Sequence, residues 1–140
     1  MIYFLSLEKR KIIWLKEHYY KSGLSTTQIY ELNRRYAGSG LTVMDNSEPR
    51  LLSEIKSKGL NVIPTIKKKG SILAGISLMQ DYQIIIDNDS VNLIREFNNY
   101  TWKLNGAIPI DKFNHAIDAS RYAIQYLLTR SVPHGNYFIR

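Results

Sequence analysis

Leu41-Thr42-Val43-Met44-Asp45-Asn46-Ser47-Glu48-Pro49 is the stretch whose reading decides the fold. Its first four residues are mostly apolar and predict a short buried strand that runs into Asp45. Asn46 to Pro49 then supplies helix-start chemistry: a capping hydroxyl on Ser47, a first-turn acid in Glu48, and a proline where its missing N–H costs least. Arg50 to Lys58 continues as a helix with Leu51, Leu52 and Ile55 turned inward, and Gly59 ends it. Leu60 to Pro64 is a second short apolar strand. Strand, helix and strand in close succession make a βαβ unit, with parallel strands and a right-handed crossover. Ligands of such units sit at the carboxyl ends of the strands, where Asp45 stands. The residues leave two readings for Asp45, a catalytic or metal-binding carboxylate and a plain cap for the helix that follows.

Working outward, Ile2 to Leu7 and Lys11 to Tyr20 are apolar and aromatic runs around a polar Glu8-Lys9-Arg10 turn, which predicts an antiparallel hairpin over residues 1–20. Ser25 and Gln28 have capping-box spacing, Leu24 and Ile29 can staple the same turn, and Leu32 and Tyr36 carry the helix on to the Gly38-Ser39-Gly40 break. Beyond Pro64, Lys67-Lys68-Lys69-Gly70 precedes a helix that Ser71 can cap, running through Asp81 with Ile72, Leu73, Ile76 and Met79 as its buried stripe. Three adjacent lysines read either as a solvated loop or as an edge that contacts phosphates. Gln83 to Ile86 is a strand; Asp87-Asn88-Asp89-Ser90 is a turn that caps a helix carrying Val91, Leu93, Ile94 and Phe97. The glycine and distal Glu of a calcium loop are missing there. Tyr100 to Lys103 reads as a short edge strand, closing an α/β core over 25–103, and a last helix covers 113–128.

With 140 residues and 44% hydrophobic content, the chain is expected to form a single domain, 1–140, around one core. Absence of Cys excludes disulfides, thiolate ligands and a cysteine nucleophile, and suits a reducing compartment. No apolar run reaches the roughly 18 residues of a membrane span, and the opening Met-Ile-Tyr-Phe-Leu lacks the pattern of a signal peptide, so a cytoplasmic protein without a membrane partner is expected. A formal charge of +7 favours a polyanionic partner. Neither G-x-x-x-x-G-K-[ST] nor G-x-G-x-x-G occurs, which excludes those modes of nucleotide binding.

A second constellation opens the last helix, Phe113-Asn114-His115-Ala116-Ile117-Asp118-Ala119-Ser120-Arg121-Tyr122. His115 and Asp118 share one face of the first turn, amid small and apolar neighbours. An imidazole and a carboxylate projecting together suit a divalent cation; equally, they suit a helix-dipole acid paired with a neighbouring His.

Taken together, these stretches resemble the nuclease domain of phage large terminase subunits, an α/β ribonuclease H-like mixed sheet flanked by helices. The family pattern Asp-Ser-Ala-Glu-Pro after a strand corresponds to Asp45-Asn46-Ser47-Glu48-Pro49, and Gly-Phe-Asn-Val-Ile-Pro to Gly59-Leu60-Asn61-Val62-Ile63-Pro64. A lysine-glycine loop with Ser-Ile and Gly-Ile matches Lys69-Gly70-Ser71-Ile72 and Gly75-Ile76, and Asn-His-Ala-Ile-Asp-Ala-x-Arg-Tyr is present from Asn114 to Tyr122. The resemblance implies metal-dependent cleavage of double-stranded DNA during packaging, by two Mg²⁺ or Mn²⁺ ions roughly 3.5–4 Å apart. It makes Asp45, Asp118 and His115 the catalytic and metal-binding residues, and Lys67, Lys68 and Lys69 candidates for the DNA backbone. Portal and small terminase subunit are the implied protein partners, and the host cytoplasm the implied place.

One departure accompanies the match. In this family the first strand is central and carries a metal-bridging Asp, whereas here no Asp or Glu precedes Glu8, in the predicted turn. The expectation is a sheet lacking the usual first strand and a weakened nuclease. The gap could close by a shift of the hairpin onto Thr42-Val43, by a strand-swapped homo-oligomer, or by a separate N-terminal segment. The rival expectation is a catalytically inactive DNA-binding or packaging-assembly module left in a prophage remnant.

Overall fold

The computed structural model describes residues 2–7 as backbone, and 11–103, 106 and 109–129 in full. Its elements run β1 (Ile2–Leu7), β2 (Ile12–Glu17), α1 (Thr26–Ala37), β3 (Thr42–Met44), α2 (Pro49–Ser57), β4 (Val62–Pro64), α3 (Ser71–Gln80), β5 (Gln83–Ile86), α4 (Val91–Asn99) and α5 (His115–Thr129). The strands form a β1-β2-β5 sheet and a β3-β4 sheet. β1 pairs antiparallel with β2, Leu7 opposite Ile12, and β2 pairs parallel with β5, Ile13 opposite Ile84. The predicted hairpin therefore forms, while its Glu8-Lys9-Arg10 turn lies outside the described residues. β3 and β4 are parallel, Val43 opposite Ile63, as the βαβ reading requires.

The single mixed sheet expected from the sequence is thus two sheets, and the hairpin does not move onto β3. The Thr42 N–H donates to the Asn61 carbonyl at 2.8 Å, and the Thr65 N–H to the Met44 carbonyl at 2.8 Å. In a parallel ladder alternate residues face the partner, so the peptide groups of Val43 point to the opposite edge, where no described strand receives them. For the same reason β3 is half-buried rather than buried. Helix α5 lies against both β1 and β3 and ties the two sheets together.

Strand pleating decides which residues form the core. Ile13 and Leu15 turn inward to meet Met79, Leu93, Ala116 and Ile124 from α3, α4 and α5, whereas Trp14 between them is 46% exposed. A second cluster, Ile55, Leu60 and Val62, joins α2 to the small sheet, with Met44, Leu51, Leu52, Ile29 and Tyr30 packed around it.

Local helix signals hold in part. Ser25 and Gln28 form the reciprocal capping box. At α2 the N-cap is Glu48 without a side-chain bond, because the Ser47 hydroxyl donates to Asp45 instead. At α3 the N-cap is Gly70 (φ 80°), a left-handed conformation that glycine adopts without strain, and Ser71 is the first helical residue. Ile72 and Leu73 are exposed; α3 buries Gly75 and Met79. Val91 is exposed as well, and Tyr100 to Lys103 contributes only an isolated bridge, Trp102 to Pro109. Helix α5 begins at His115 rather than Phe113, which has φ 54°.

Two helices are capped by glutamates far away in sequence. Glu17 accepts from the Leu93 N–H at 2.7 Å and the Asn92 side-chain amide at 2.6 Å, while its own N–H donates to Ser90 Oγ at 2.9 Å. Ser90 is the N-cap residue of α4, but its hydroxyl ties the helix start to β2 and makes no capping bond. Glu96, 1% exposed, accepts at Oε2 from the N–H groups of Ala116 (2.7 Å) and Ile117 (3.1 Å), and at Oε1 from the Tyr20 hydroxyl (2.7 Å). That bond, with burial second, pushes the Tyr20 hydroxyl pKa up. The acid also lies at the positive end of α5.

Glu96→Ala is expected to leave the two buried amide N–H groups of Ala116 and Ile117 without their acceptor. Losing these buried bonds should cost about 1–3 kcal/mol, read as a lower urea midpoint. A methyl group at Gly75 would lie 2.5 Å from Arg121 Cγ and 2.7 Å from Gln125 Cδ. Gly75→Ala should therefore destabilise by about 1–3 kcal/mol, seen as a fall in Tm.

Candidate functional site

Asp45 follows β3 at its carboxyl end, and its neighbours fix the carboxylate. Oδ1 accepts from the Ser47 N–H at 3.0 Å and the Ser47 hydroxyl at 2.9 Å, a local turn typical of Asp. The Asn46 N–H donates to Thr65 Oγ1 at 3.3 Å, pinning this loop to the residue after β4. From the same β4 exit comes Lys67, whose Nζ lies 2.7 Å from Asp45 Oδ1 and 3.0 Å from Oδ2, and 2.9 Å from Ser47 Oγ. Burial pushes the Asp45 carboxyl up, but bonds from Lys67 and Ser47 outweigh it and hold the group below the usual carboxylate range. This pair adds stability above the ordinary pKa of about 4, and the contribution is lost as pH falls through the depressed value. Its size is small, because both groups are over 40% exposed.

The second acid is on α5. Asp118 Oδ1 accepts from Arg121 Nη2 at 2.8 Å and Nε at 3.3 Å. The Arg121 side chain is 2% exposed and also donates to Gln125 Oε1 at 3.2 Å, while Gln125 donates to the Ser71 carbonyl at 2.7 Å. The bare Gly75 backbone makes room for this stack where α3 meets α5. Burial, and after it the Asp118 charge, pushes the Tyr100 phenol up, with Arg121 opposing.

Tyr122 connects the two halves. Lys67 Nζ lies 5.8 Å from its ring centroid and Arg121 Cζ 4.6 Å. Asp45 and Asp118 are thus linked, through Lys67, one aromatic ring and Arg121, across the contact of α5 with β3. His115 stands exposed at the start of α5, one turn before Asp118. Lys68 and Lys69 are exposed in the loop before α3, whereas Lys67 is engaged with Asp45.

Arg121 and Tyr122 gave only a partial signal in the sequence: Asp118 and Arg121 have helical i, i+3 spacing, but nothing local shows that Arg121 is buried. The Lys67 contact gave none, since it spans twenty-two positions. Carboxylates, with hard oxygen donors, suit a divalent cation. As placed, however, each carries a basic partner, and among the described residues no three His, Cys, Asp or Glu side chains converge to hold a metal ion. These residues therefore do not fit a metal pair as they stand. Among the described residues no helix is long and apolar enough to cross a membrane.

Comparison with known structures finds three phage relatives. The chain is similar to the large terminase nuclease domain of bacteriophage SPP1, solved with bound Mn, at a TM-score of 0.79 and 26% identity, covering 89% of this chain and 76% of that one. It is similar in fold to the large terminase of a thermophilic bacteriophage (TM-score 0.69, 18% identity, 84% of this chain, 34% of that one). The same holds for the P22 large terminase nuclease domain (TM-score 0.66, 19% identity, 84% and 68%). No curated protein sequence matches. The family profile described as terminase RNase H-like domain matches residues 2–126, nearly the whole chain, and the protein belongs to that family.

Proposed function

We propose that this chain is a metal-dependent endonuclease domain of a phage DNA-packaging terminase, acting on double-stranded DNA. The observation that carries the reading is the union of Asp45 and Asp118, seventy-three positions apart in sequence (118 minus 45), through Lys67, Tyr122 and Arg121. In this reading Asp45 and Asp118 are the carboxylates for Mg²⁺ or Mn²⁺, with His115 alongside, and cation binding requires Lys67 to leave Asp45. The Mn bound to the SPP1 domain supports a divalent cation here. Lys68 and Lys69, joined by Lys67 once it is released, contact the duplex backbone as point charges. Portal, small terminase subunit and host cytoplasm belong to the same reading. The edge of β3 that no described strand covers is where a strand from another copy or a separate segment would add.

One observation favours a second reading. Both acids are neutralised by basic side chains and no third acid joins them among the described residues. A DNA-binding or packaging-assembly module without catalysis would have this arrangement.

The two are separated by supercoiled plasmid incubated with the full chain and Mn²⁺. The nuclease reading expects nicked and linear product, falling to the metal-free level in Asp45→Ala. No product from folded protein would overturn it. The second reading expects binding that weakens linearly in log Kd against log salt and does not respond to Asp45→Ala.

A further inference from the structure

The two helices beside the small sheet end in cations, and topology decides where those ends lie. Helix α2 leaves β3 at its carboxyl end and delivers the chain to the amino end of β4, while α1 leads into the amino end of β3. Both last turns therefore stand at the rim opposite Asp45. They carry Arg34 and Arg35 on α1 and Lys56 on α2, with Lys58 as the α2 C-cap. All four are exposed, and among the described residues none is ion-paired. Of the acids on these helices, Glu54 is taken by Arg50, and Glu31 lines a groove with Arg35 without pairing to it.

A helix dipole favours cations near its last turn, which accounts for single charges there. It does not account for their convergence. Arg34 Nη1 donates to the Tyr30 hydroxyl at 3.0 Å, and Lys58 Nζ lies 5.4 Å from the centroid of the same ring. Charges from two helices are thus gathered on one half-buried tyrosine, itself packed against Ile55, Leu60 and Val62. Like charges held together without an acid repel, and a multivalent anion placed between them relieves the repulsion.

From this geometry we infer that the Arg34–Tyr30–Lys58 rim is a second contact for the phosphodiester backbone of DNA, at the far end of the βαβ unit from Asp45. The inference rests on the reading that the chain acts on DNA, and not on cleavage at Asp45. The surface chemistry selects this partner. Among the described residues no exposed large apolar side chain lies on α1 or α2, so the rim lacks the apolar anchors that protein interfaces use. Phosphates need only cations, and a guanidinium fork and a lysine point charge both hold them. Lys68 and Lys69 at one rim, with Arg34 and Lys58 at the other, give a duplex two points of attachment. One point leaves a rod free to swivel, whereas two fix its direction across the small sheet.

The test is fluorescence anisotropy of a short labelled DNA duplex with the full chain, in EDTA so that nothing is cut, over a range of salt. Each cation that neutralises a phosphate adds roughly 0.9 to the slope of log Kd against log salt. Arg34→Gln combined with Lys58→Gln should therefore make the slope shallower by about 2 and weaken binding at least roughly tenfold at about 0.1 M salt. Arg34→Lys with Lys58→Arg keeps both charges and should keep the slope. Lys11→Gln with Arg95→Gln, around the larger sheet, removes the same net charge and should leave the slope nearly unchanged. Far-UV circular dichroism checks that every variant is folded.

An unchanged slope in the folded Arg34→Gln, Lys58→Gln variant would overturn the inference. An equal fall in the Lys11→Gln, Arg95→Gln control would do the same, by showing an effect of net charge alone. Poly-L-glutamate that binds more tightly than the duplex, and is lost in the same variant, would assign the rim to an acidic protein and overturn it as well. The DNA reading fails separately. A slope that falls only in Lys68→Gln with Lys69→Gln refutes the second contact and leaves DNA as the partner, whereas no salt-dependent duplex binding by the wild type refutes both.

Discussion

A single buried carboxylate holds the architecture in place. Glu96, on α4, receives two backbone N–H groups from the first turn of α5 and the phenol that follows β2. Buried helix ends need partners for their free N–H groups, and a charged acceptor at the positive end of the helix answers both demands. Three elements are thereby fixed at one point: the exit of the hairpin, α4 and α5. Glu17 repeats the device one step earlier, tying β2 to the start of α4. The orientation of α5 matters because this helix spans both sheets and carries Asp118, Arg121 and Tyr122.

From that anchored helix the site follows by packing. Gly75 lets α3 approach α5 closely enough to enclose Arg121, and the enclosed guanidinium aims at Asp118. On the other side, the βαβ unit delivers Asp45 and Lys67 from the ends of its two parallel strands. Membership of the terminase RNase H-like family and the likeness to the SPP1 domain agree with this placement of strands and helices. The charges are balanced internally: a partly exposed lysine serves one acid and a buried arginine the other. Such pairs lower the electrostatic cost of keeping two acids along one helix–strand contact.

Much of this was legible in the residues. The Leu41 to Pro64 stretch gave strand, helix and parallel strand, Ser25 with Gln28 gave a capping box, and the last helix was placed to within two residues at its start. Signals failed where the expected local bond lost to another partner, near or distant. The Ser47 hydroxyl turned to Asp45 rather than capping α2, and Ser90 served β2 because Glu17 already capped α4. The stripe expected from Ile72 and Leu73 failed because a bare glycine, not a large apolar side chain, makes the α3–α5 contact.

What the sequence determined by itself is the set of elements and their periodicity, since propensity, capping and the strand repeat act between residues a few positions apart. It also marked Asp45, His115 and Asp118 as chemically notable. Only the tertiary structure decided that the strands divide into two sheets, that Glu96 caps a helix twenty positions further on, and that Lys67 is bound to Asp45 rather than free for a phosphate. These outcomes depend on contacts between distant segments, whose energies exist only once the chain has closed upon itself and water has been excluded between them.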